Sequence, residues 1–135
     1  MATYDKYYKK ENYFGSPYKY LTIFFRKHPK RGKLCDLGAG QGRDSIQLSK
    51  LGYDVTAVDI SQVGLNQISR QRDEIKILLH DIYTYDIQRF DFILLDSMVH
   101  FYKNDMEKET GLIRRILETQ KQGSIFVNCM VKSKK

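Results

Sequence analysis

The residues able to do chemistry cluster around Asp36-Leu37-Gly38-Ala39-Gly40-Gln41-Gly42, which follow a short apolar run from Lys33. Glycines placed after a buried strand let the chain turn tightly and bring backbone close to a ligand. A nucleotide-type cofactor needs that approach. Asp59 lies 21 residues after Gly38, at the end of a second β-branched run, Asp54–Asp59. From that position a carboxylate accepts hydrogen bonds from ribose hydroxyls. NAD and adenosyl cofactors would both satisfy this pair, but the glycine spacing separates them. A dinucleotide fingerprint is G-x-G-x-x-G. Its third glycine would fall at position 43, which is Arg, whereas here it is Gly42. No Gly-Lys-Ser/Thr follows, so the phosphate loop of nucleotide triphosphatases is excluded. The spacing favours an adenosyl ligand that is not a dinucleotide.

Five further residues are candidates. Asp81 and Ile82 follow a third strand-like run, and Asp96 and Ser97 end a fourth. His100 stands three residues beyond Ser97 and is the first candidate for a general base, with a packed wall residue as the bland alternative. His28 and His80 read as structural or solvated. No His/Cys group has metal-ligand spacing, so no metal is expected.

These residues need elements to hold them. Strands are expected at 34–37, 54–59, 75–79, 90–96 and 124–131. Helices are expected at 43–51 and 62–72, the latter capped by Ser61. Asn104 and Glu107 have capping-box spacing and open a further helix that Gly123 closes. Continuous apolar strands alternating with helices indicate an α/β, doubly wound parallel sheet with helices on both faces. The expected strand order is 3-2-1-4-5. Ligands in such sheets sit outside the carboxyl ends of the strands, which gathers Gly38–Gly42, Asp59, Asp81 and 96–100 on one rim.

The remaining chemistry is in the first segment. The 135-residue chain carries a formal charge of +7, and residues 1–35 hold nine Lys/Arg against two Asp/Glu. The same segment carries Tyr4, Tyr7, Tyr8, Tyr13, Phe14, Tyr18, Tyr20, Phe24 and Phe25. A helix is expected over residues 4–13. A second should start with Ser16 as cap and Pro17 at its first position, and run to about His28. Residues 1–30 therefore form a basic, aromatic helical arm on a body at 31–135. Such an arm can bind single-stranded nucleic acid by phosphate contact and stacking. It can equally pack its aromatics on the body with its lysines in water, and the helical spacing of Tyr20 and Phe24 favours the second. With 41% hydrophobic residues the chain is not disordered. No apolar run approaches the ~20 residues of a membrane helix, and the polar start Met1–Lys6 is not expected to be a signal peptide. Cys35 and Cys129 suggest no disulfide framework, so a cytoplasmic setting is expected.

At this point LCDLGAGQGRDSIQLSKLGYDVTAVDIS resembles motifs I and II of class I S-adenosylmethionine-dependent methyltransferases. It is most similar to their small tellurite-resistance-like and menaquinone-biosynthesis-like branch, whose sheet is Rossmann-like. His80-Asp81-Ile82 resembles the adenine-contacting segment, and FDFILLDSMVHFY resembles motif IV. The resemblance implies that Gly38, Ala39 and Gly40 line the methionine end of S-adenosylmethionine, with Asp36 supporting that loop or the ammonium group. It implies Asp59 on the ribose, Ile60 packed on adenine, and Asp81 with Ile82 at the adenine amino group. Asp96 and Ser97 would lie near the sulfonium and the entering substrate, with Arg43 and Asp44 behind the loop. It also implies that Tyr7, Tyr8, Tyr13 and Phe14 act as a lid, with Lys9 and Lys10 attracting an anionic acceptor.

The implied activity is in-line methyl transfer to a small-molecule acceptor, leaving S-adenosylhomocysteine, with His100 or Ser97 as catalytic candidates. A cofactor-binding module without turnover, and an RNA- or protein-directed methyltransferase using the arm, remain as alternatives. The family's sheet has seven strands and five are found here. The fifth strand is then an exposed edge. Either it pairs in a homodimer, or the sequence is a fragment, or the arm covers the edge.

Overall fold

In a computed structural model, residues 5–10 and 15–130 are described. The first half holds helices α1 (Asp5–Tyr8), α2 (Lys19–Lys27) and α3 (Arg43–Lys50) with strands β1 (Lys33–Leu37) and β2 (Asp54–Asp59). The second half holds α4 (Gln62–Gln71), β3 (Lys76–Leu79), β4 (Phe92–Asp96), α5 (Met106–Thr119) and β5 (Ile125–Cys129). The strands form one sheet in the order β3-β2-β1-β4-β5, parallel throughout, as the sequence implied.

Side chains alternate across this sheet, and the alternation sorts the core into two layers. Leu34, Val55, Ala57 and Leu94 face α2, α3 and α4, meeting Phe25, Leu48 and Ile68. Cys35, Leu37, Val58, Ile93 and Leu95 face α5, meeting Leu112 and Ile116. The same parity sends Asp36, Asp59 and Asp96, at the carboxyl ends of β1, β2 and β4, to the α3 face. Within the arm, α2 packs into this layer. The Phe25 ring meets Tyr53 edge-on at 5.4 Å, and the Tyr53 hydroxyl donates to the Phe25 carbonyl at 2.8 Å.

Several boundaries differ from expectation. Of the helix expected over 4–13, Asp5–Tyr8 is helical; residues 11–14 lie outside the described residues. α2 starts at Lys19, with Tyr18 as its extended entry residue, and not at Ser16-Pro17. The Tyr18 ring is held under the Arg43 guanidinium, 4.6 Å from its centroid, and the helix starts two residues later than the Pro signal suggests. No Asn104–Glu107 box forms, because α5 begins after Asp105. The carboxylate that ties down this entry is Glu109, 2% exposed, which accepts from the amides of His100 and Phe101 at 2.8 and 3.1 Å. β4 starts at Phe92, since the Phe90 amide bonds the Gln120 side chain at 2.8 Å. β3 is a short, largely exposed edge, and β5 is the other edge, half-buried along its length.

Candidate functional site

The glycine loop crosses the carboxyl end of the sheet. The Gly38 and Ala39 amides donate to the Val58 carbonyl at 2.8 and 3.0 Å, pinning β1 to β2 at the turn. Gly38 and Gly40 have φ of +88° and +57°, which side-chain-bearing residues seldom adopt. A Cβ at Gly38 would strike the Met98 side chain, and one at Gly40 would lie 2.8 Å from the Tyr8 hydroxyl. Asp59 locks the loop from β2. One carboxylate oxygen accepts from the Gly40 amide at 3.2 Å and the other from the Ser61 amide at 2.9 Å. Burial raises the Asp59 carboxyl above its ordinary value, and these two amides oppose the rise.

Above the loop is a cavity of about 340 Å³. Gly38, Ala39, Gly40, Gln41, Asp59, Ile60, Asp96, Ser97 and Met98 line it, with Tyr8 and Tyr18 from the arm and Arg43 and Asp44 from α3. The arm is tied on by amides. The Gln41 Nε2 donates to the Lys10 carbonyl at 2.7 Å and to Gln67 Oε1 at 2.7 Å, and the Gln67 Nε2 donates to the Tyr8 carbonyl. The Ser61 hydroxyl caps α4 through the Gly64 amide at 3.1 Å and also meets Asp5.

The cavity floor is acidic. Asp36, 2% exposed, accepts from the Ser45 hydroxyl at 2.7 Å beneath the loop. Asp96 takes the Arg43 guanidinium at 2.6 Å on one oxygen and the Ser97 hydroxyl at 3.0 Å on the other. Asp44 is 4% exposed beside them. Burial first, then the neighbouring carboxylates, pushes Asp36 up to about 7 and Asp44 up to about 9. Burial works against the charge of Arg43, but Asp44 and Asp96 outweigh it and raise that group.

Of the residues singled out from sequence, Gly38, Ala39, Gly40, Asp59, Ile60, Asp96, Ser97 and Tyr8 meet at this cavity. Others stand apart. Asp36 lies under the loop and supports α3. Asp81 is an exposed turn carboxylate accepting from the Tyr83 amide at 2.9 Å, and Ile82 is buried in the α5-side core. Neither belongs to the cavity wall. His100 leaves the wall as well. Ser97 turns with φ of +60°, Val99 is buried, and the exposed His100 ring stacks on Tyr102 at 5.4 Å. Tyr7 sits beneath the Lys6 ammonium, 4.9 Å from its ring centroid, and Tyr13 and Phe14 lie outside the described residues. Sequence reasoning missed the wall roles of Tyr18 and Gln41 and the clamp from Gln67. A polar residue between two glycines, as Gln41 is, was the available signal.

A parallel sheet in this order, with a glycine loop after β1 and a carboxylate at the end of β2, defines the class I S-adenosylmethionine-dependent methyltransferase fold. Residues 6–133 match the family described as tellurite resistance protein TehB, and the chain belongs to that family. It is 34% identical over 122 residues to the probable S-adenosyl-L-methionine-dependent methyltransferase TehB of Haemophilus influenzae (strain 10810), covering 83% of this chain and 42% of that relative. The crystal structure of TehB from Haemophilus influenzae superposes with a TM-score of 0.73 at 27% identity, covering 87% of this chain and 44% of that one. The glycopeptide N-methyltransferase MtfA complexed with S-adenosyl-L-methionine shares the fold, with a TM-score of 0.66 at 21% identity over 85% of this chain and 55% of that one. The chain thus spans a little under half the length of the TehB relative.

Proposed function

We propose that this chain binds S-adenosylmethionine at the glycine-loop cavity and directs in-line transfer of its methyl group to a small-molecule acceptor. The observation that carries the reading is the meeting of Asp59 with the positive-φ Gly38–Gly40 turn at one cavity. The residues fit the cofactor. The missing Cβ atoms leave space for close backbone approach, Asp59 offers acceptors for ribose hydroxyls, and Ile60, 49% exposed, offers an apolar surface for the base. When bound, the cofactor supplies an activated methyl group on a sulfonium.

The chain's own contribution is alignment and charge. Carboxylates on the floor favour a cationic ligand, and Tyr8 and Tyr18 from the arm cover the cavity and shed water. Holding the reactants in line contributes roughly 7–11 kcal/mol in favourable cases. Among the described residues, the cavity wall offers no histidine, lysine or cysteine, and its arginine is engaged by Asp96. The acceptor that suits this wall is therefore nucleophilic by itself, such as an amine, a thiolate or a soft anion. We place the protein in the cytoplasm on the strength of its two free thiols, Cys35 and Cys129. No helix among the described residues is long and apolar enough to cross a membrane.

Calorimetric titration with S-adenosylhomocysteine, followed by a methyl-transfer assay on amine and thiol acceptors, tests the reading. We expect binding that Asp59→Asn weakens by roughly tenfold or more. Absence of binding by the unaltered chain would overturn it. Binding without transfer would leave a cofactor-binding module.

A further inference from the structure

Helix α5 buries Glu109, Leu112 and Ile116 and turns its opposite face outward. There Lys103, Met106, Glu107, Thr110, Gly111 and Arg114 line an open hollow of about 570 Å³. Glu107, Thr110, Gly111, Arg114 and Glu118 recur at helical spacing and form one stripe. Lys103, in the turn leading into the helix, extends it.

Two features of this stripe have no use within the chain. Gly111 weakens the helix relative to alanine, yet among the described residues no atom lies within 4 Å of where its Cβ would stand. Lys103, Glu107, Arg114 and Glu118 form no ion pair among the described residues.

The four charges are arranged symmetrically with opposite sign. From the midpoint between Thr110 and Gly111, Glu107 lies 3.5 residues before and Arg114 3.5 residues after. Lys103 lies 7.5 residues before and Glu118 7.5 residues after. An antiparallel copy of the helix, turned about that midpoint, sets Glu107 on Arg114 and Lys103 on Glu118, each twice. It also sets Thr110 over the glycine, where the missing side chain lets two helix axes approach to about 8 Å, the near end of the usual range. A parallel copy in register would set like charges together. Met106 and Leu117, 48% and 65% exposed, flank the stripe and supply apolar area.

We propose that the outer face of α5 is a homodimer interface, in which two copies of this chain pair through antiparallel α5 helices about a two-fold axis at Thr110–Gly111. Exposed ion pairs are weak by themselves. They fix register and orientation, while burial of Met106 and Leu117 drives association. The contact does not use the β5 backbone and does not depend on the cofactor reading.

The test is sedimentation equilibrium of the full chain and of Gly111→Arg, Glu107→Arg and Arg114→Glu, each checked for native circular dichroism. We expect the mass of the unaltered chain to rise with concentration and Gly111→Arg to lower it. Each charge reversal alone should raise the dissociation constant roughly tenfold or more, because two attractions become two repulsions. Mixing Glu107→Arg with Arg114→Glu in equal amounts should restore the mass, since a basic stripe then meets an acidic one. Association through β5 would be blind to these changes. A monomer at every concentration overturns the proposal. So does a mass that Gly111→Arg leaves unchanged, or one that does not recover on mixing. If a reversal fails to fold, Gly111→Arg decides alone.

Discussion

Three aspartates, each ordinary in sequence, become unusual once buried. Asp36, Asp44 and Asp96 occupy one small volume with a single arginine. The Asp44 carboxyl rises from 3.8 to about 9 in the folded chain, chiefly by burial. A carboxyl raised on folding keeps its proton when the unfolded chain has already lost it. Its contribution therefore falls as pH climbs from about 3.8 towards about 9, then levels off. Asp36 acts in the same direction up to about 7. In the ligand-free protein, Asp44→Asn should thus raise stability at mildly alkaline pH by roughly 1–3 kcal/mol, with the gap closing in acid. Urea midpoints for both proteins across pH check this, and a gap that widens in acid would contradict it.

The elements explain why the arm matters. α1 has four residues, too few to be stable alone. It is held by what grips it: Gln41 on the Lys10 carbonyl, Gln67 on the Tyr8 carbonyl, and Ser61 on Asp5. All three gripping residues belong to the glycine loop or to the entry and body of α4, so the cover and the cofactor loop form one mechanical unit. Replacing Gln41 with Ala should free the arm. Losing about 1 kcal/mol of hydrogen bonding predicts roughly fivefold faster release of S-adenosylhomocysteine, with faster amide exchange over residues 5–8. Unchanged exchange and release would show that the arm needs no such clamp. The opposite rim is built by a different device. Glu109 on α5 gathers the His100 and Phe101 amides and so turns His100 away from the cavity. The His100 ring, a candidate base or wall residue from sequence, therefore stacks on Tyr102 outside the cavity lining.

At the scale of the molecule, the sheet of the described residues has β3 and β5 as its two outer strands. β3 blunts itself by being four residues long. β5 is longer and half-buried, and among the described residues no strand pairs with its outer side, the arrangement that invites a further strand. A second copy of the chain joined along β5 remains our proposal for that edge. It predicts a sedimentation mass that rises with concentration, and a monomer at every concentration would remove it. The charge divides on the same scale. The segment up to residue 35 carries the excess of lysine and arginine, while the cavity it covers is lined by Asp44, Asp59 and Asp96. A basic segment beside an acidic cavity is the reason we propose a lid there and not a nucleic-acid surface.

The sequence by itself determined the sheet, its strand order and the Gly38–Gly40 loop facing Asp59. The strands and the loop are written locally, in apolar runs, glycine spacing and the distance from one strand end to the next, and the strand order follows from the doubly wound class that their alternation with helices indicates. What it left open was which side chains at the rim meet. Asp36 went under the loop, Asp81, Ile82 and His100 went outside the cavity, and Tyr18, Gln41 and Asp44 came into it. Strand parity, the αL turn at Ser97 and the long-range grip of Glu109 made those choices. They depend on packing between residues far apart in the chain, so only the tertiary structure could decide them.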